Sequence, residues 1–362
     1  MLINTANVTY SSIVTIGENI SKLEKETGDK YLKLHRGVMD VTNIDINSLN
    51  LRLDLNDNKL QQYSGNDGYT ELINTIKSEF NLSDSNVVIT PGGMASLDLI
   101  INSLNDYTIW VPNYHWGSWN KILKTHNKQI LTFDDFNLEN FRPTSSVVML
   151  CFPSNPTGFT PKLEVIIDFL KYAKENNVIV ILDLPYYYLF NDNNNELSNH
   201  FYDNVIVTSS FSKSIGLSGY RIGYISTKND ELYQTLRIRS LYKYNSISTL
   251  PQYIINELLK EKSIVNQYRL TTKEHIQKNI DYLNYKKLLF SGYTELPVGP
   301  FAIVKLNENE LLRYKISSVS LDKFTINKKN VDKGYSRISV AVNHDIFIKY
   351  FNEINNDILT IS

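Results

Sequence analysis

Between residues 146 and 207 the chain repeats one pattern: a short, nearly unbroken apolar run, a turn, then an amphipathic stretch. Residues 146–152, 178–184 (VIVILDL) and 204–207 (NVIV) are strand-length runs rich in Val, Ile and Leu. Residues 163–175 carry apolar side chains at helical spacing. A strand that is apolar on both faces has to be covered on both, and a parallel sheet between crossover helices does this. The expected fold class is therefore α/β, with a mainly parallel sheet held between helices. In such sheets ligands gather at the carboxyl ends of the strands. Asn155, Asp183 and Lys213 all fall at those ends.

Lys213 lies within SSFSKSIGLSGYRIG, residues 209–223. A lysine that attacks a carbonyl must be tightly placed and partly deprotonated. Ser210, Ser212 and Arg221 supply two hydroxyls and a planar cation, a set suited to holding a phosphate beside it. Asp183 closes a buried strand, where a carboxylate is costly unless paired. It either caps the following turn or pairs with a protonated ring nitrogen of a cofactor, with Tyr186 three residues on as a donor to the same ring. Residues 87–97 (VVITPGGMASL) read as strand, glycine turn and helix, which aims free N–H groups at an anion.

A further strand over residues 107–111 ends in PNYHWGSW, so Tyr114 and Trp116 stand where a flat ligand stacks or a core is plugged. Tyr63 sits in a loop of turn formers, residues 62–68, ahead of a helix over 69–80. The first 45 residues form a polar arm ending in LHRGVMD, where Gly37 allows close backbone approach and His35 is a ligand contact or a structural residue. A long helix is expected from Asp230 to about Lys243, and the run at 191–196 reads as a surface loop. From about residue 252 the pattern becomes helix, short strand, helix, a smaller α+β unit. Arg337 interrupts its alternating strand YSRISVAV, as an edge residue or as an anchor for a carboxylate.

Composition excludes several classes. With 42% hydrophobic and 21% charged residues and a net charge of −1, the chain has no basic run for nucleic acid or anionic membranes. No apolar stretch approaches the roughly 20 residues of a membrane span, and the first 25 residues have no signal-peptide pattern. One cysteine, Cys151, rules out an internal disulfide or a cysteine-cluster metal site. A soluble, cytoplasmic protein is the expectation, with no metal in its site.

Taken in order, Tyr63 with Gly68, the TPGGMASL turn, Pro112-Asn113-Tyr114, Asn155-Pro156-Thr157-Gly158, Asp183 with Tyr186, SFSK ending at Lys213, GYRIG around Arg221, and Arg337 resemble the fold-type I pyridoxal-phosphate enzymes of the class I/II aminotransferase family. The resemblance runs from about Gly37 to Arg337. It implies a large cofactor domain (46–250) with a mainly parallel seven-stranded sheet, a smaller C-terminal α+β domain (251–362), and an arm (1–45) reaching the active site.

The resemblance also implies roles. Lys213 would hold pyridoxal 5′-phosphate as a Schiff base and shuttle the proton between substrate Cα and cofactor C4′. Asp183 would keep the ring nitrogen protonated, Asn155 and Tyr186 would bond the ring oxygen, and Tyr114 would stack on the ring. The amides of Gly93 and Met94, with Ser210, Ser212 and Arg221, would bind the phosphate, and Tyr63 would reach it from the partner of a homodimer. Arg337, helped by Gly37, would clamp the substrate carboxylate, and the Asn155–Pro156 bond is expected to be cis. The implied reaction moves an amino group between an L-amino acid and a 2-oxo acid. A lyase, decarboxylase or cyclase on the same scaffold stays open, because bond selection is not written in these motifs. Transcription regulators on this fold add a DNA-binding helical domain, for which the chain has neither length nor basic charge.

Three departures stand out. Met94 replaces a commoner hydroxyl or amide residue, and DLPYYY replaces Asp-Glu-Ala-Tyr. The arm lacks the Asn-Glu-Asn-Pro stretch of histidinol-phosphate aminotransferases, which YSGNDGYTEL otherwise resembles. Arg237 and Arg239 could meet a second carboxylate, and His115, Trp116, Tyr187 and Tyr188 suggest an aromatic or apolar substrate.

Overall fold

The computed structural model describes residues 10–354 apart from positions 50, 52, 55, 191–193, 329, 330, 332 and 333. After a two-residue strand β1 (Leu32–Lys33), seven strands build the main sheet: β2 (Asn86–Thr90), β3 (Ile109–Pro112), β4 (Ile130–Phe133), β5 (Val147–Cys151), β6 (Ile179–Asp183), β7 (Val205–Ser210) and β8 (Gly223–Thr227). Their order is β2-β8-β7-β6-β5-β3-β4. Only β8 runs opposite to the other six strands, so the sheet is mainly parallel as the apolar runs required. All five residues of β5 and all six of β7 are buried, the burial expected of strands covered on both faces.

Amphipathic helices supply that cover. In Leu163–Glu175 the buried residues are Ile166, Phe169, Leu170 and Ala173, one stripe at three- and four-residue spacing. Helix Asp230–Tyr244 begins where Asn229 Oδ1 accepts the Leu232 N–H at 2.8 Å, an N-cap. Helix Thr70–Glu79 buries Leu72 and Ile76.

The C-terminal part adds β9 (Phe301–Val304), β10 (Ile316–Ser317), β11 (Val319–Ser320) and β12 (Ser336–Ser339). An antiparallel sheet has the order β11-β12-β9, so β12 is central. The N-terminal segment joins this part: β1 pairs in parallel with β10, and Asp40 bridges Val342.

Three local expectations change. The polar arm contains a 16-residue helix, Ser12–Thr27, closed by Gly28 in the left-handed conformation. Within the expected loop at 191–196, Asn194 begins a short helix, Asn194–Ser198, while 191–193 lie outside the described residues. The cis peptide bond precedes Pro153, after Phe152, and not Pro156. The chain turns as soon as β5 ends, and Gly158 at φ 69° then completes the NPTG turn, its N–H donating to Ser154 O at 2.8 Å.

Candidate active site at the carboxyl ends of the strands

Lys213 follows β7 in the short helix Phe211–Ser214. Burial, then the charges of Arg221, Arg337 and Arg36, lower its pKa to about 8. Near pH 7.5 roughly a quarter of such an amine is neutral, against about one in a thousand for an ordinary lysine. That is a usable nucleophile.

Beside it the backbone forms an anion cradle. Gly92 takes φ 90°, and a Cβ there would collide with the Arg221 guanidinium. Arg221, itself at φ 56°, is tied by Nη1 to Ser218 O (2.8 Å) and Ser212 Oγ (3.5 Å), and by Nη2 to Pro91 O (3.4 Å). Gly93 opens helix Gly93–Ser103, and a Cβ there would lie 3.8 Å from Ser210 Oγ. Free amides at a helix start, two serines and an arginine thus converge on one point, as phosphate binding requires. Met94 is 45% exposed and its thioether side chain offers no N–H or O–H donor, which leaves its amide as its contribution.

Asp183 is buried, which raises its pKa to about 7, and Trp119 Nε1 donates to its Oδ2 at 3.2 Å, working in the opposite direction. Asn155 lies near the Tyr186 hydroxyl, and its buried Oδ1 has no hydrogen-bond partner. Burial drives the Tyr186 phenol upward, so it stays a donor at neutral pH. Tyr114 follows β3 and is held through its N–H by both oxygens of Asp135, at 3.0 and 2.8 Å.

Arg337 on β12 is fully buried, not at an edge. Its guanidinium stands 4.6 Å from the Phe301 ring centre and 5.0 Å from that of Phe324. Nη2 donates to His35 O at 2.9 Å, while Nε and Nη1 are buried without partners. Burial lowers its pKa to about 10, which keeps it charged at pH 7. A Cβ on Gly37 would touch the Phe301 ring at 3.3 Å, and that ring meets Tyr186 edge-on at 5.5 Å. Gly37, Arg337 and Tyr186 therefore share one corner. His35 is structural: its Nδ1 lies 2.6 Å from Ser317 Oγ, and burial with Arg337 and Arg36 nearby lowers its pKa to about 4.

Other candidates lie elsewhere. Tyr63 is 82% exposed and points off the protomer. Arg237 is engaged by Asp67. His115, Tyr187 and Tyr188 are buried, with the Tyr188 ring centre 4.1 Å from that of Phe80. Trp119, Asp135, Phe301 and Arg36 were not singled out from the sequence. The periodicity of Trp119 with Ile122 and Leu123 would have placed the indole inward, but not against Asp183.

The unmet atoms fit the expected group. Asn155 Oδ1 faces the need for a ring contact, Arg337 Nε and Nη1 the need for a carboxylate, and the cradle the need for a phosphate. Among the described residues no cluster of His, Cys, Asp and Glu could hold a metal, and no helix is long and apolar enough to cross a membrane.

Comparison with known proteins agrees with this geometry. The profile described as "Aminotransferase class I and II" matches residues 31–342. Histidinol-phosphate aminotransferase 2 of Oceanobacillus iheyensis is 28% identical over 255 residues, 66% of this chain and 68% of that protein. A probable aspartate aminotransferase of Methanocaldococcus jannaschii is 28% identical over 214 residues, covering 53% and 57% respectively. An aminotransferase structure from Mycobacterium tuberculosis superposes with TM-score 0.82 at 17% identity over 100% of both chains. Aspartate aminotransferase of Thermotoga maritima gives 0.79 at 20% identity over 98% of each. These structures share the fold. The chain belongs to the class I and II aminotransferases, enzymes that use pyridoxal 5′-phosphate to act on amino and 2-oxo acids.

Proposed function

We propose that this chain exchanges an amino group between an L-amino acid and a 2-oxo acid, with Lys213 holding the cofactor and carrying the proton. The observation that carries this reading is Arg337. A buried guanidinium with two unmet nitrogens is costly until an anion meets them. The Phe301 and Phe324 rings beside it keep water away, so a substrate α-carboxylate bound there gains full strength.

Position supports the following residue roles. Ser210, Ser212, Arg221 and the amides of Gly93 and Met94 would hold the phosphate. Asp183 would meet the ring nitrogen, Asn155 and Tyr186 the ring oxygen, and Tyr114 the ring face. Once bound, pyridoxal phosphate supplies an electron sink for the pair left at the substrate Cα. Lys213 Nζ, freed once the substrate amine has taken its place, would move the proton between the substrate Cα and the cofactor C4′. Arg337 and the Gly37 backbone orient the substrate so that the Cα–H bond faces Lys213.

A homodimer belongs to the same reading. Tyr63 (82% exposed), Tyr242 (86%), Ile238 (57%) and Met94 (45%) are exposed large apolar side chains, which a second copy would cover. Tyr63 would then reach the partner's phosphate. The division at 45/46 and 250/251 and a cytoplasmic location complete the proposal.

The test is optical. Purified protein loaded with pyridoxal phosphate should lose its visible band when amino acids are added and regain it with a 2-oxo acid. Lys213→Ala should do neither. Release of CO2 or elimination at Cβ, with no return of the band, would favour a lyase or decarboxylase and sink this reading.

A further inference from the structure

We propose that Trp119 is a positioning residue for Asp183: its indole N–H occupies one carboxylate oxygen and so commits the other, with its negative charge, to the cofactor's ring nitrogen. This rests on the function proposed above. The indole sits in helix Gly117–Thr125, is 1% exposed, and donates from Nε1 to Asp183 Oδ2 at 3.2 Å. Among the described residues it is the one side-chain donor found on that carboxylate.

The choice of donor matters chemically. Indole N–H donates only; it neither accepts a proton nor ionises near neutral pH. A histidine or tyrosine at this place could exchange its proton with Asp183 and blur which group is charged. Trp119 instead favours the anion without offering the carboxylate a proton. The remaining neighbours supply no charge. Cys151, in register with Asp183 on β5, and Tyr186 are both pushed upward by burial and are neutral at pH 7. Thr208, in register on β7, does not titrate.

The indole is itself braced. The His115 ring lies nearly parallel to Trp119, 14° between planes and 6.2 Å between centres. Both His115 nitrogens are engaged, Nδ1 with Pro112 O at 2.6 Å and Nε2 with Asn120 Oδ1 at 2.8 Å. Burial lowers the His115 pKa, which keeps this plate uncharged. The end of β3, where Pro112 lies, is thereby coupled through His115 and Trp119 to the end of β6. Without the indole, a proton between Asp183 and the ring nitrogen moves toward the carboxylate.

The experiment compares wild type, Trp119→Phe, and protein carrying benzothienylalanine at 119, which keeps the ring's volume and removes only the N–H. Two quantities are read: the dissociation constant of pyridoxal phosphate from the apoprotein, and the 15N shift of ring-labelled cofactor, which reports ring protonation. Both variants should bind about tenfold more weakly, and their 15N shift should move toward the unprotonated ring at pH 7.5. The benzothienyl protein keeps the test valid if Trp119→Phe folds poorly. A benzothienyl protein with wild-type affinity and an unchanged 15N shift would leave Trp119 as packing alone and overturn the inference. Wild-type protein that takes up no cofactor would overturn the cofactor reading and this inference with it.

Discussion

The phosphate cradle and the Arg337 corner are both cationic, yet they are built in opposite ways. In the cradle, Arg221 lies eight residues from Lys213, and its guanidinium already donates to Ser218 O and approaches Ser212 and Pro91. The corner joins residues some three hundred positions apart. Arg337 bonds the carbonyl of His35 and leaves Nε and Nη1 unmet inside the protein. The cradle's cation is already hydrogen-bonded within the chain, whereas the corner's keeps two buried nitrogens unmet. On the proposed reading the first would hold a permanent ligand and the second an exchanging substrate.

The largest expected effect separates Lys213 from both. Lys213→Ala should lower amino transfer by about 10³-fold or more, the scale of a lost proton carrier plus a lost attachment point. Phosphate-anchored cofactor should still co-purify or bind, measured by absorbance after gel filtration. Loss of all cofactor binding would mean that the cradle is not self-sufficient.

Next comes the contrast between the two arginines. Arg337→Gln should reduce kcat/KM for amino acids by roughly 10²-fold while leaving cofactor affinity close to wild type. Arg221→Gln should do the reverse, weakening cofactor binding by about 10–100-fold with a smaller change in amino-acid KM at saturating cofactor. Identical profiles for the two variants would break the comparison.

A smaller effect concerns stability. The folded Asp183 pKa near 7 lies above the unfolded value near 4, so the folded apoprotein binds the extra proton in between. Stability attributable to this group is therefore complete below pH 4 and falls as pH rises from about 4 to about 7. Asp183→Asn should raise the apoprotein Tm by a few degrees at pH 8 and leave it nearly unchanged at pH 4, by calorimetry. A variant less stable at pH 8 would mean that Asp183 is well paired even without cofactor.

The smallest effect belongs to Arg36, exposed beside the corner and the last of the charges acting on Lys213. The rate of cofactor attachment to apoprotein should rise with pH through a midpoint near 8 as Lys213 loses its proton. Arg36→Gln should move that midpoint up by about 0.2–0.5 pH, because one repelling charge is gone. A downward move would rule out the electrostatic account.

Asn155, Asp183, Lys213 and Arg221 were legible because each is anchored to a local signal: an apolar run that stops, or a glycine turn that begins. Residues 146–152 and 178–184 could hardly be anything but buried parallel strands, and their ends had to meet. Arg337 was ambiguous for the opposite reason. Alternation alone cannot distinguish an edge strand from the centre of a sheet, and β12 became central only when β9 and β11 paired on its two sides. The cis bond falls at Pro153 and not at the proline of the NPTG motif, because the chain turns directly after β5.

The sequence by itself thus determined the class of fold, and it placed the candidate site and most of its candidate groups at the strand ends, since these depend on hydrophobic period and short-range spacing. Tertiary structure alone decided which groups face one another. Trp119 reached Asp183 across 64 positions, Gly37 and Arg337 met at Phe301, and Tyr63 was turned outward. The physical reason is that side-chain contact across elements depends on packing register and burial, which no local pattern encodes, while the charge states of Lys213 and Asp183 follow from the desolvation that packing creates.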